Sequence, residues 1–204
     1  MRNRADDIVG GLRESLIGFC HRAYSLGLVP GISGNMSCRV PGQERIVVKA
    51  SGFSLGDVTE AETLLADLDG TILQETSLRP SKELFFHLAI YRQRPDVGAV
   101  VHLHTPHTLA FAALHTLPPL LTGAARIFLG DKLVLIPPAP SGSKELAHLV
   151  GTAFADVKIK AAIMAEHGSI TVGADLPQAF YLSQYLEDAA RTAFLVRQWQ
   201  TPQA

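Results

Sequence analysis

The 204-residue sequence holds only two cysteines, three methionines and one tryptophan, and aromatic residues make up just 7% of it. Cys20 and Cys38 form neither a disulfide framework nor a CxxC metal knuckle, which leaves two ordinary thiols of a reducing compartment. Excess charge of either sign is also missing. Eighteen basic and nineteen acidic residues leave a net charge of -1, so no overall field gathers nucleic acid or an anionic membrane. Charged residues reach 18% against 47% hydrophobic, with a mean hydropathy of +0.18, too apolar for a disordered chain. An unbroken membrane-length run is absent as well. Thr105 to Ala125 carries no Asp, Glu, Lys or Arg, but His107, His115, Pro118 and Pro119 interrupt it, which excludes a transmembrane span. The start, MRNRADDIVGG, places charges where a signal peptide needs its apolar region, so a cytoplasmic location is expected. Against these shortages stand eight histidines, on a length that suits one domain over residues 1–204.

Spacing along the chain sets the expected elements. Ile8, Leu12, Leu16, Phe19, Ala23 and Leu26 recur every three or four residues, which writes an amphipathic helix ending at Gly27, with Pro30 beyond it. VPGISGNMS reads as a loop, RIVVKAS as a β segment, and TLLADLDG as a strand ending in a turn at Asp69-Gly70. A helix is expected from Ser81, with that serine as its N-cap, to Pro95. VGAVVHLH is a β-branched strand, and Pro106 to Leu114 a helix. KLVLIP, IKAAIMA and SITVG are strands, SGSKELAHLVGTAF is a helix capped by Ser141 or Ser143, and a last helix starts near Leu176. Strands and helices mixed in this irregular order suggest a two- or three-layer α/β domain rather than a regular βαβ series.

His102 and His104 stand two apart on a strand, so their side chains leave the same face and reach one ion at about 2.0–2.1 Å. The other reading of such a pair is two polar residues at a strand end, solvated or bonded to backbone. His167, in AEHGS, follows an apolar strand at a turn and supplies a third imidazole. Three histidines leave a fourth zinc position open, the arrangement of catalytic rather than structural sites. Glu83 lies in the first turn of its helix, where it is either a catalytic acid or a residue favoured by the helix dipole. Gly34-Asn35, Ser51-Gly52 and Ser81 are small polar turns whose N–H groups suit a phosphate, although each alone is only a turn. The other five histidines, His21, His87, His107, His115 and His148, need no special role.

Taken in order, GISGNMS, VVKASG, RPSKE, AVVHLHTPHT and AEHGSI resemble the class II aldolase/adducin family over nearly the whole chain. The resemblance implies a three-layer α/β/α sandwich on a central mixed, largely antiparallel sheet, and a homotetramer with the site near a subunit interface. It places the family's zinc ligands on His102, His104 and His167 and its acidic catalytic residue on Glu83. Its phosphate contacts fall on Gly34, Asn35, Ser51, Gly52 and Ser81, with Lys82 standing where a second serine often follows. The implied cofactor is one Zn²⁺ per chain, and imidazole ligands suit Mn²⁺, Co²⁺ or Fe²⁺ as well. The implied reaction is lysis of a carbon–carbon bond in a small phosphorylated keto-sugar through a zinc-stabilised enediolate, with Glu83 moving the proton.

The sequence departs from that pattern in one respect. The aldolases carry a tyrosine acid or base between the HxH strand and the next strand, whereas LPPLLTGAARIFLG has none, and the family's later C-terminal tyrosine is also missing before Ala204. Decarboxylation of a 3-oxo acid needs no such group, and family members that decarboxylate 3-oxo-tetronate 4-phosphate share the LPPL and RPSKE-like segments. They are the alternative. A sugar-phosphate epimerase and a non-catalytic adducin-like scaffold are further ones, and a metal hydrolase would need two more carboxylates of which the sequence offers none as well placed as Glu83.

Overall fold

A computed structural model describes residues 4–130 and 132–200, so the sequence start at Met1–Asn3 and its end at Ala204 lie outside the described residues. Helix α1 (Arg4–Ser25) leads into β1 (Asn35–Arg39), β2 (Arg45–Lys49) and β3 (Thr63–Asp67), followed by α2 (Leu84–Gln93) and β4 (Ala99–Leu103). Helices α3 (Pro106–Ala113) and α4 (Gly123–Leu129), strand β5 (Leu133–Ile136), helix α5 (Lys144–Phe154), strands β6 (Ala161–Met164) and β7 (Gly168–Gly173) and helix α6 (Leu176–Gln200) complete the order. Seven strands form one sheet in the order β3-β2-β1-β4-β7-β6-β5. Every neighbouring pair is antiparallel except β5 with β6.

Strand alternation feeds two hydrophobic layers. On one face Ile46, Val48, Val100, Ile170 and Val172 pack under α2 and α5 through Phe86, Leu88, Val150 and Phe154. On the other, Met36, Val47, Val101 and Leu103 meet α1 and α6, and Ala161 and Ile163 meet α3, α4 and α6. The fold is therefore the α/β/α sandwich with a mixed, mostly antiparallel sheet. Cys20 and Cys38 are both buried and free, and burial pushes each thiol up to about 12. Among the described residues no helix is long and apolar enough to cross a membrane.

Three expectations change. The stretch read as a loop runs into the first three residues of the interior strand β1, because Asn35 and Ser37 are buried polar residues that hide the alternation of Met36 and Cys38. Helix α2 begins at Leu84, so its N-cap position is Glu83; Ser81 Oγ accepts the Glu83 N–H at 3.2 Å and closes a turn ahead of the helix. The tyrosine-free stretch holds α4, capped by Thr122 on the Ala125 N–H and ended at Gly130 with φ +73°. Elsewhere Ser143, not Ser141, caps α5.

Candidate metal and substrate site

The site forms where β1, β4 and β7 reach the same end of the sheet. Register sets it: Asn35 lies opposite His102, and His102 opposite Ile170, which brings the start of β1 and the end of β4 beside the turn before β7. His102 is wholly buried in β4, and His104 follows just past the strand's end. His167 comes from the β6–β7 turn, where Glu166 takes φ +61°. Gly168, at φ +154°, lets that turn press against β4, since a Cβ there would sit 2.7 Å from the Leu103 carbonyl and 3.1 Å from the His104 ring. The ligand atoms of His102, His104 and His167 all lie within 4.8 Å of one another.

Hydrogen bonds fix the protons. His102 Nδ1 lies 2.9 Å from the Ser169 carbonyl, which only accepts, so Nδ1 carries the hydrogen and Nε2 presents a lone pair. That lone pair faces His104 Nε2 at 3.0 Å and Glu83 Oε2 at 3.3 Å. Glu83 Oε1 lies 2.7 Å from His167 Nε2. His102 Nε2 and Glu83 Oε2 thus face each other as two acceptors, a conflict that a cation among the imidazoles would relieve. Nitrogens bound to one tetrahedral zinc lie about 3.3–3.4 Å apart, within the reach of this cluster. Burial, with His102 and His167 alongside, pushes His104 down to about 4, so it is a neutral ligand at pH 7. The residues fit a divalent metal.

Glu83 is only 7% exposed and touches four groups. Besides the two imidazoles it accepts from Asn35 Nδ2 at 2.8 Å and from Ser141 Oγ at 2.6 Å. Burial works to raise its pKa, but the hydrogen bonds it accepts from His167 and Ser141 oppose that and hold the carboxyl below the usual carboxylate range.

The expected phosphate contacts cluster beside Glu83. Asn35 Nδ2 lies 3.4 Å from Ser81 Oγ, and a bridge between Ala50 and Pro80 sets the Ser51-Gly52 turn next to Ser81. The Ser51 N–H is spent on the Arg79 carbonyl at 2.9 Å, so of that residue only the hydroxyl is available to a ligand. Gly34, at φ +75°, packs against the His102 carbonyl, and the Lys82 side chain is exposed at the rim. Two contributors escaped the sequence reading. Ser141, a helix-cap candidate in the sequence, instead donates to Glu83. Lys49, inside the quoted VVKASG, is a charged residue that is 3% exposed and has no hydrogen bond among the described residues. Burial lowers its pKa, while Cys20 and Glu83 pull it back up. Lys49 ends β2 after Ile46, Val47 and Val48, where a lysine is locally ordinary, so the sequence carries no signal for it.

His21, His107, His115 and His148 lie outside the cluster. His107 and His115 pair with Glu187 and Glu166 at 2.7 and 2.8 Å, His21 Nε2 bonds the Val58 carbonyl, and His148 is exposed on α5. The fifth, His87, is wholly buried next to Asn35.

Comparison with known proteins identifies the family. An L-fuculose phosphate aldolase of Methanococcus maripaludis is 32% identical over 183 residues, covering 90% of this chain and 96% of the relative. A 3-oxo-tetronate 4-phosphate decarboxylase of Haemophilus influenzae is 31% identical over 197 residues, covering 91% and 88%. A solved structure of an L-fuculose 1-phosphate aldolase superposes with a TM-score of 0.86 at 24% identity, covering 95% of this chain and 90% of that one, a likeness of fold. The family model described as Class II Aldolase and Adducin N-terminal domain matches residues 14–194. With its site built where those strand ends meet, this chain belongs to the class II aldolase and adducin family.

Proposed function

We propose that residues 1–204 act as one domain, a metal-dependent lyase that breaks a carbon–carbon bond of a small phosphorylated keto-sugar. The observation that carries this reading is Glu83, 2.7–3.3 Å from two of three clustered imidazoles on one side and hydrogen-bonded to Asn35 and Ser141 on the other. His102, His104 and His167 would hold the ion, with Zn²⁺ first and Mn²⁺, Co²⁺ or Fe²⁺ as substitutes. A divalent ion held there supplies positive charge beside a substrate carbonyl, which lowers the cost of negative charge developing on it. Glu83 carries a proton to or from the carbon that gains the electron pair of the broken bond. Asn35, Ser81, the Ser51 hydroxyl, the Gly52 N–H and Lys49 bind the phosphate and fix the reacting carbons, with Gly34 shaping the turn and Lys82 at its rim.

Decarboxylation of a 3-oxo-tetronate 4-phosphate is the second reading, and the tyrosine-free stretch Leu117 to Gly130 favours it. Aldol cleavage must take a proton from a hydroxyl as the bond breaks, whereas loss of CO₂ leaves the electron pair without that step. A scaffold role is disfavoured, because it gives no reason for three histidines and a buried carboxylate to converge. We also propose, on the family resemblance, a cytoplasmic homotetramer with the site near a subunit interface.

Metal-loaded protein incubated with phosphorylated ketoses and a 3-oxo-tetronate 4-phosphate tests the reaction. An aldehyde released with a three-carbon phosphate supports the aldolase; CO₂ from the 3-oxo acid with no aldehyde from any ketose phosphate replaces it with the decarboxylase. His102→Ala and His167→Ala are expected to lose bound metal, from about one ion per chain in the parent, and turnover with it. Wild-type turnover that survives complete metal removal overturns the metal dependence.

A further inference from the structure

Behind Glu83 a single file of buried polar groups runs away from the site. Glu83 Oε2 accepts from Asn35 Nδ2 at 2.8 Å, Asn35 Oδ1 meets His87 Nε2 at 2.5 Å, and His87 Nδ1 meets Ser37 Oγ at 2.7 Å. Ser37 Oγ lies 2.9 Å from the Tyr91 hydroxyl, which also reaches the Ser37 carbonyl at 3.0 Å. His87, Ser37 and Tyr91 are at most 1% exposed, and Asn35 is 3% exposed. The strand β1 supplies two members, α2 supplies His87 and Tyr91, and Glu83 stands at its N-cap position, so that Glu83, His87 and Tyr91 recur every four residues along one side.

Each proton in this file determines the next. A carboxylate only accepts, so the Asn35 amide must turn its NH₂ towards Glu83 and its oxygen towards His87. That oxygen accepts, so the His87 hydrogen sits on Nε2. Nδ1 is then an acceptor, and the Ser37 hydroxyl donates to it. With its proton committed, Ser37 Oγ accepts from Tyr91, whose one hydrogen is shared with the Ser37 carbonyl. Burial pushes His87 down to about 3, which keeps the ring neutral with one N–H, as the file requires.

We infer that His87 is a positioning residue, which locks the Asn35 amide so that its NH₂ holds Glu83 in place beside the imidazole cluster. An apolar ring at position 87 would fill the space as well, since Phe86 stacks on His87 at 4.8 Å between centroids, but it would release the amide to rotate. The inference rests on Glu83 as the proton-moving group, and one arm of its test does not depend on turnover. Two variants are compared, His87→Phe, which keeps the ring shape, and His87→Gln, whose amide N–H replaces Nε2–H.

In metal-loaded protein the Asn35 side-chain NH₂, read by ¹⁵N–¹H NMR, is expected to be exchange-protected in the parent, to lose protection in His87→Phe and to regain it in His87→Gln. In parallel, kcat should fall about 10–100-fold in His87→Phe, as misplacing a reacting group does, with KM and metal content little changed, the kcat–pH profile displaced, and partial recovery in His87→Gln. An Asn35 amide equally protected in His87→Phe overturns the lock. Lost protection with unchanged kcat, where Glu83→Gln is inactive, overturns the positioning role. If Glu83→Gln keeps full turnover, the reading of Glu83 fails, and the amide signal alone still decides the lock.

Discussion

Gly34 holds φ +75°, and a Cβ added there would lie 2.9 Å from Val29 Cγ1 and 3.1 Å from the His102 carbonyl oxygen. The Val29 methyl has room to shift only at the expense of the α1-side core, and the carbonyl belongs to a central strand. Gly34→Ala is therefore expected to destabilise the fold by about 1–3 kcal/mol, the usual cost of strained backbone, read as a lower urea midpoint. Lys49 shows the opposite balance. The residue is 3% exposed and its ammonium makes no hydrogen bond among the described residues, so little compensates for the water its charge gives up, which opposes folding unless an anion is present. Lys49→Met is expected to raise the urea midpoint of the ligand-free protein, and to raise KM for a phosphorylated substrate about tenfold or more, the loss of one charge-assisted contact. A KM equal to that of the parent would remove Lys49 from the phosphate site. At this scale much was legible. The i, i+2 spacing of His102 and His104 sufficed, because a strand side chain's face follows from its parity alone. The roles of Ser141 and Lys49 were not legible, because a serine before a helix and a lysine at a strand end have ordinary local explanations.

Helix α3 begins without a side-chain cap of its own, at Thr105 followed by Pro106. The cap comes from α6: Glu187 accepts the His107 and Thr108 N–H groups at 2.9 Å each, and also the Thr108 hydroxyl at 2.9 Å. Its negative charge at a helix N-terminus adds to those bonds. Glu187→Ala should cost about 1.5–3 kcal/mol, the range for hydrogen bonds to a charged acceptor, and should speed amide exchange first in α3. Uniform loss across the sheet would instead mark Glu187 as a general core support. Helices α1, α5 and α6 were legible from their apolar periods. By contrast, β1 was hidden because Asn35 and Ser37 face a polar interior rather than a hydrophobic one, and α4 because its seven residues are too few to show a period, although Thr122 and Gly130 marked its ends.

Across the whole molecule, pH acts through buried histidine. His87 and His104 are held below the ordinary 6.5, at about 3 and about 4, burial being the main cause for both. The unfolded chain takes up these protons near pH 6.5, and the folded metal-free chain only near 3 to 4. Between those values the unfolded state binds more protons, so stability falls as pH drops from 6.5, by about 1.4 kcal/mol per pH unit for His87 alone. The loss stops below the folded pKa. Urea midpoints of chelator-treated protein at pH 7 and pH 5 should show that fall, and His87→Phe should make it shallower; a midpoint that does not change between the two pH values would contradict the burial argument. By itself the sequence determined an α/β domain of two or three layers and the pairing of His102 with His104 on one strand face, because periodicity and i, i+2 spacing are local properties. Only the tertiary structure decided that Asn35, Ser81, Glu83 and Ser141 lie together beside the imidazoles and that His87 stands behind Asn35, since antiparallel register joins residues dozens of positions apart and hydrogen-bond direction exists only between partners already in place.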